Sequence, residues 1–97
     1  MTEPRARFVI VVFTWRKVLK TEELEPLFNT AVDWLRFSEN GWILWTTNDP
    51  PVWFKYIKPH LAPEDSVFIA ELNLSHFGST VSGWQSKMVW DWIKKSR

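Results

Sequence analysis

"TEELEPLFNTAVDWLRFSENG", residues 21–41, decides the fold, because the hydrophobic period changes here. Leu24, Leu27, Phe28, Ala31, Val32 and Leu35 recur at i, i+3, i+4, i+7, i+8 and i+11, which is one stripe of a helix. Thr21 is placed to cap its start, and Glu22, Glu23 and Glu25 suit the positive end of the helix dipole. Pro26 fits only in a first turn, so the start is open by a few residues. Asn40-Gly41 supplies the stop. The expectation is one long helix running past Leu35.

Outward from this helix, both sides read as strands. Upstream, "RFVIVVFTW" holds six consecutive apolar residues, Phe8 to Phe13, rich in β-branched side chains. Such a run without alternation is a strand covered on both faces, hence central in its sheet. Downstream, "WILWTT" is a second strand, with Trp42 and Trp45 pointing to opposite faces. Asp49 followed by Pro50 starts a helix, a capping carboxylate ahead of a proline at the first helical position. Trp53, Ile57 and Leu61 repeat at four-residue spacing with Phe54 beside them, and Pro59 ends the helix near Lys58. After the turn "APEDS", "VFIAELNL" is a third strand. Its Phe68, Ala70, Leu72 and Leu74 face one way, and Val67, Ile69, Glu71 and Asn73 the other. "SHFGSTVSG" is a loop, and Ser86 caps a last helix in which Val89, Trp92 and Ile93 share a face, with Lys94 and Lys95 at its negative end. The order is strand, helix, strand, helix, strand, loop, helix: a two-layer α/β (α+β) sandwich, one small sheet with helices packed on it. Residues 1–97 form a single domain, of which 75–97 are a loop plus C-terminal helix tail.

Composition narrows the function classes. The chain's 97 residues suit one domain. With no cysteine there are no disulfides and no thiolate metal sites, and a cytoplasmic setting is the expectation. No apolar run approaches the ~20 residues of a membrane span, and "MTEPRARFVIVVF" lacks a small-residue cleavage site, so no membrane role is expected. A net charge of +1 is far from the basic signature of a dedicated nucleic-acid binder.

With this order in hand, "RFVIVVFTW" and "IKPHLAPEDSVFIAEL", residues 57–72, resemble the small ferredoxin-like proteins related to the second CRISPR-associated adaptation protein, including the SinR-like group. The resemblance implies a ferredoxin-like sandwich, a homodimer in which edge strands complete a neighbour's sheet, and a defence, toxin–antitoxin or phage–host setting. Some members of that family cleave nucleic acid with a metal held by aspartates at the end of the first strand. This chain has Thr14 and Trp15 there. A hard cation needs oxygen ligands, normally carboxylates, so metal-dependent cleavage is not carried over.

The remaining candidates are weighed on their chemistry. Gly78 to Gly83, "GSTVSG", has the two-glycine frame of a phosphate loop, but Trp84 and Gln85 stand where Lys and Ser/Thr are required. His76 lies near Ser75, Ser79 and Ser82 without an orienting acid, and His60 follows a proline turn as a structural residue. No catalytic residue, metal site or cofactor is therefore assigned. Arg16, Lys17 and Lys20 follow the first strand beside Trp15, where ligands of α/β sheets bind, and are a possible phosphate contact. Of the eight tryptophans, Trp42, Trp45, Trp53 and Trp92 are read as core. Trp15, Trp34, Trp84 and Trp90 lie off the main stripes or at element ends and are read as a partner interface. The expectation is a small non-enzymatic protein-interaction module, dimeric in that family's manner. The alternatives are a nucleic-acid-binding module using Trp15, Arg16, Lys17 and Lys20, and a divergent metal-dependent nuclease of the same fold.

Overall fold

The structure, a computed structural model, describes residues 5–14, 21–72 and 87–95. In chain order the elements are β1 (Arg7–Thr14), α1 (Thr21–Phe28), β2 (Asp33–Ser38), β3 (Gly41–Thr46), α2 (Pro50–Ile57) with a 3-10 turn at Lys58–His60, β4 (Ser66–Leu72) and α3 (Lys87–Lys94). The four strands form one sheet in the order β2-β3-β1-β4, with every neighbouring pair antiparallel. The run Phe8 to Phe13 is central as its composition requires, pairing β3 on one side and β4 on the other.

The long helix expected from Thr21 to the Asn40-Gly41 stop is corrected. α1 ends at Phe28, and residues 33–38 are a strand. The backbone shows where the chain turns. Thr30 N–H and Oγ1 both donate to the Leu27 carbonyl at 3.0 and 2.7 Å, Ala31 N–H donates to the Phe28 carbonyl, and Val32 N–H already reaches Trp45 in β3 at 2.9 Å. From there the side chains alternate. Trp34 packs with the core under α1 and α2, whereas Leu35 and Phe37 pack with Ile43 on the other face. Leu35 is thus not part of the α1 stripe. Pro26 lies sixth in α1, past the first turn; it is exposed, so the hydrogen bond it cannot donate is missing on the solvent side.

Asn40-Gly41, expected to stop a helix, instead belongs to the β2–β3 hairpin. Asn40 extends the pairing of β1, accepting from Phe13 N–H at 2.8 Å while its side-chain amide donates to the Phe13 carbonyl. Gly41 is required by close approach: a Cβ there would lie 2.5 Å from Phe37 Cζ and 2.7 Å from Ser38 Oγ.

The side chains of alternate sheet residues sort into two cores. On one face Val9, Val11, Phe13, Trp42 and Leu44 meet Leu24 and Phe28 of α1 and Trp53 and Ile57 of α2, all fully buried. Sheet, α1 and α2 thus make a two-layer sandwich. On the second face Ile43 packs with Val89 and Ile93 of α3, flanked by Phe8, Ile10, Leu35, Leu72, Trp90 and Trp92. Trp42 and Trp45 do point to opposite faces; the Trp45 ring lies tilted against Phe8 at 4.7 Å between ring centroids. A hydrogen bond across 59 residues ties α3 down, from Trp92 Nε1 to Asp33 Oδ2 at 3.0 Å. The start of α2 is as expected, with Asp49 Oδ1 accepting from Val52 N–H at 3.3 Å.

Candidate functional site

The two edges of the sheet differ in how they meet solvent. An edge strand carries a row of unpaired backbone donors and acceptors, and proteins blunt it with bulges, charges or covering side chains. β2 has these devices. Its register shifts between Arg36 and Ser38, Arg36 Nε donates to the Ser38 carbonyl at 3.2 Å, and Asp33 is engaged by α3. β4, "SVFIAEL", has no proline and one charged residue, and pairs with β1 through seven consecutive positions without a shift. It is the open edge among the described residues.

Side chains on both faces of β4 remain available. On the α3 side Phe68 is 67% exposed, opposite Val12 in the register, beyond the reach of the cluster around Val89 and Ile93. On the α1/α2 side Val67 and Ile69 combine with Pro50, Pro51 and Phe54 of α2 to line an open groove of about 270 Å³. The helix places Phe54 there for a simple reason. Trp53 and Ile57 hold the buried stripe, so Phe54 falls on the flank facing β4 and stays 44% exposed. Two exposed lysines neighbour Phe54, Lys58 in space and Lys55 in the chain. Lys58 Nζ lies 6.0 Å from the Phe54 ring, and Lys55 is exposed one turn after Pro51. Among the described residues neither lysine has a carboxylate within ion-pair distance. At the far end of β4, Glu71 sits 3.8 Å from Arg7 Nε.

The residues singled out from the sequence are distributed otherwise. Trp15, Trp84, Arg16, Lys17 and Lys20 lie outside the described residues. Trp34 is half-buried; its ring lies 6.4 Å from that of Phe28, and its Nε1 donates to Asn29 Oδ1 at 2.9 Å, bracing the turn between α1 and β2. Trp90 is half-buried in the α3 cluster. The carboxylates Glu71, Asp65 and Asp91 are engaged separately. Glu71 pairs with Arg7, Asp65 accepts from Ala62 N–H at 3.0 Å, and Asp91 bridges Lys87 at 2.8 Å. That last contact raises the Lys87 ammonium above its ordinary value, chiefly through the hydrogen bond and then through the charge of Asp91. His60 Nδ1 lies 3.5 Å from Glu23 Oε2, linking the end of α2 to α1.

Sequence reasoning missed the groove. The alternation of β4 was visible, but which strand lies at an edge depends on pairings between distant segments. Phe54 and Lys58 gain their meaning only once β4 is beside them. Among the described residues, no helix is long and apolar enough to cross a membrane. Comparison with known protein families, with curated proteins and with solved structures finds no match.

Proposed function

We propose that this chain is a non-enzymatic protein-interaction module of ferredoxin-like topology, which works by adding a strand from another chain to β4. The topology is supported by the β-α-β-β-α-β order through β4 and the strand order β2-β3-β1-β4. The observation that carries the function is the contrast between the two edges: β2 is bulged and dressed, whereas β4 is regular, nearly uncharged and bordered by an apolar groove. In strand addition the main chain supplies affinity through hydrogen bonds, and pockets for alternate side chains supply specificity. The simplest form of such an assembly is a homodimer, since two-fold pairing is the commonest solution for soluble chains.

Amide exchange measured along a concentration series tests this. The outward amides of β4 are expected to slow as the protein is concentrated, while those of β2 stay unchanged. Exchange at β4 as fast at high concentration as at low would refute the reading. Salt-sensitive binding to RNA or DNA in place of that protection would favour the nucleic-acid module instead.

A further inference from the structure

We propose that the strand received by β4 is β4 of a second copy, antiparallel about a two-fold axis at Ile69; this rests on reading β4 as the interaction edge. The register follows from the side chains. With the axis at Ile69, that residue meets its own copy, Phe68 faces the second copy's Ala70, and Val67 faces the second copy's Glu71. Cross-strand neighbours on one face are the unit of sheet stabilisation, so each pairing can be judged.

On the α3 face, the register with β1 puts Phe68 opposite Val12 and Ala70 opposite Ile10. The 67% exposed ring of Phe68 then lies over the smallest side chain of β4, once from each copy. On the α1/α2 face, Glu71 lies opposite Val9 and beside Arg7, so its carboxylate is on the side of the groove. The second copy's Glu71 arrives next to Val67, a wall of the groove that Phe54 also lines. Lys58 stands 6.0 Å from that ring and Lys55 is on the same helix, both exposed and without an ion pair among the described residues. Two symmetric carboxylate–lysine contacts result.

The neighbouring registers fail on the same criteria. An axis at Phe68 sets the two rings against each other and brings Glu71 opposite the second copy's Asp65, two like charges. An axis at Ala70 presses Glu71 against Ile69 in the apolar part of the groove, away from Lys58.

The chain has no cysteine, so engineered thiols report the register without background. Directly opposed Cα atoms in an antiparallel pair lie about 4.5–5.5 Å apart, inside the disulfide range of roughly 4.4–6.8 Å. Ile69→Cys alone is expected to give a covalent dimer on mild oxidation. Val67→Cys alone is expected to give none, because its copy is displaced by about four residues, roughly 14 Å along the strand. A mixture of Val67→Cys and Glu71→Cys chains is expected to crosslink as a heterodimer, and it does not depend on substituting Ile69. Lys55→Glu with Lys58→Glu is expected to raise the dimer dissociation constant roughly 2–30-fold, with Glu71→Lys in the same chain recovering part of the loss. Crosslinking of Val67→Cys or Phe68→Cys in preference to Ile69→Cys, with β4 amides still protected, overturns the register and leaves β4 as the interaction edge. A chain that sediments as a monomer with unprotected β4 amides overturns both.

Discussion

Replacing Phe28 by alanine tests the core that α1 and the sheet share. Phe28 is fully buried, and its ring lies 5.2 Å from that of Trp42, 6.2 Å from Trp53 and 6.4 Å from Trp34. Removing a buried phenyl ring costs about 3–5 kcal/mol, depending on how far the site collapses. Three indoles, two of them fixed by hydrogen bonds to Asn29 and Thr46, cannot close over the void. The upper part of the range applies, about 4–5 kcal/mol. A small domain has about 5–15 kcal/mol in total, and each kcal/mol moves the midpoint of a domain this size by about 4–8 °C. The variant should therefore melt roughly 16–40 °C below the parent, with Phe28→Leu losing about 1–1.5 kcal/mol as an intermediate step. Urea unfolding followed by tryptophan fluorescence, with an unchanged slope, measures both. A loss below about 2 kcal/mol for Phe28→Ala would mean that the ring does not sit among these tryptophans.

Three further outcomes follow from particular contacts. Leu35→Ala should cost about 1–2 kcal/mol, less than a fully buried leucine, and should speed amide exchange in α3 and not in α1, since Leu35 lies half-buried on the α3 face. Gly41→Ala should cost about 1–3 kcal/mol in chemical denaturation, because its methyl would meet the Phe37 ring. Thr46→Val should cost about 1–3 kcal/mol and shift the indole N–H resonance of Trp53, whose Nε1 donates to the buried Thr46 hydroxyl at 3.2 Å.

The parts of the fold that were legible are those in which local chemistry and tertiary context agree. The run Phe8–Phe13 has no polar face to turn outward, and Asp49-Pro50 can do little except start a helix. The segment 33–38 reads as helix in the sequence because Val32 and Leu35 happen to continue the helical spacing of Leu24 and Phe28. Two counter-signals were present. Trp34, Leu35 and Phe37 crowd both faces of any helix they would join, and Asn-Gly between apolar runs marks a hairpin. Arg36 disguised the strand further, because its guanidinium lies over the Trp42 ring at 5.0 Å, covering the core in place of an apolar residue. The candidate site was less legible than the fold. Its ingredients, Phe54, Lys58, Val67 and Phe68, were ordinary residues of two separate elements until the sheet order placed them together.

The central place of β1 has a consequence for synthesis. Its partners come late: Phe8 pairs with Trp45 and with Leu72. At a translation rate of about 5–20 residues per second, Leu72 is made roughly 3–13 s after Phe8. The β2–β3 hairpin closes on a microsecond scale once made, so β3 is the first surface offered to β1. Until β4 follows, the six-residue apolar run of the nascent chain has one unpaired edge. That interval is when this chain most needs shielding from other copies of itself, and low temperature or a holding chaperone during expression should raise the soluble yield.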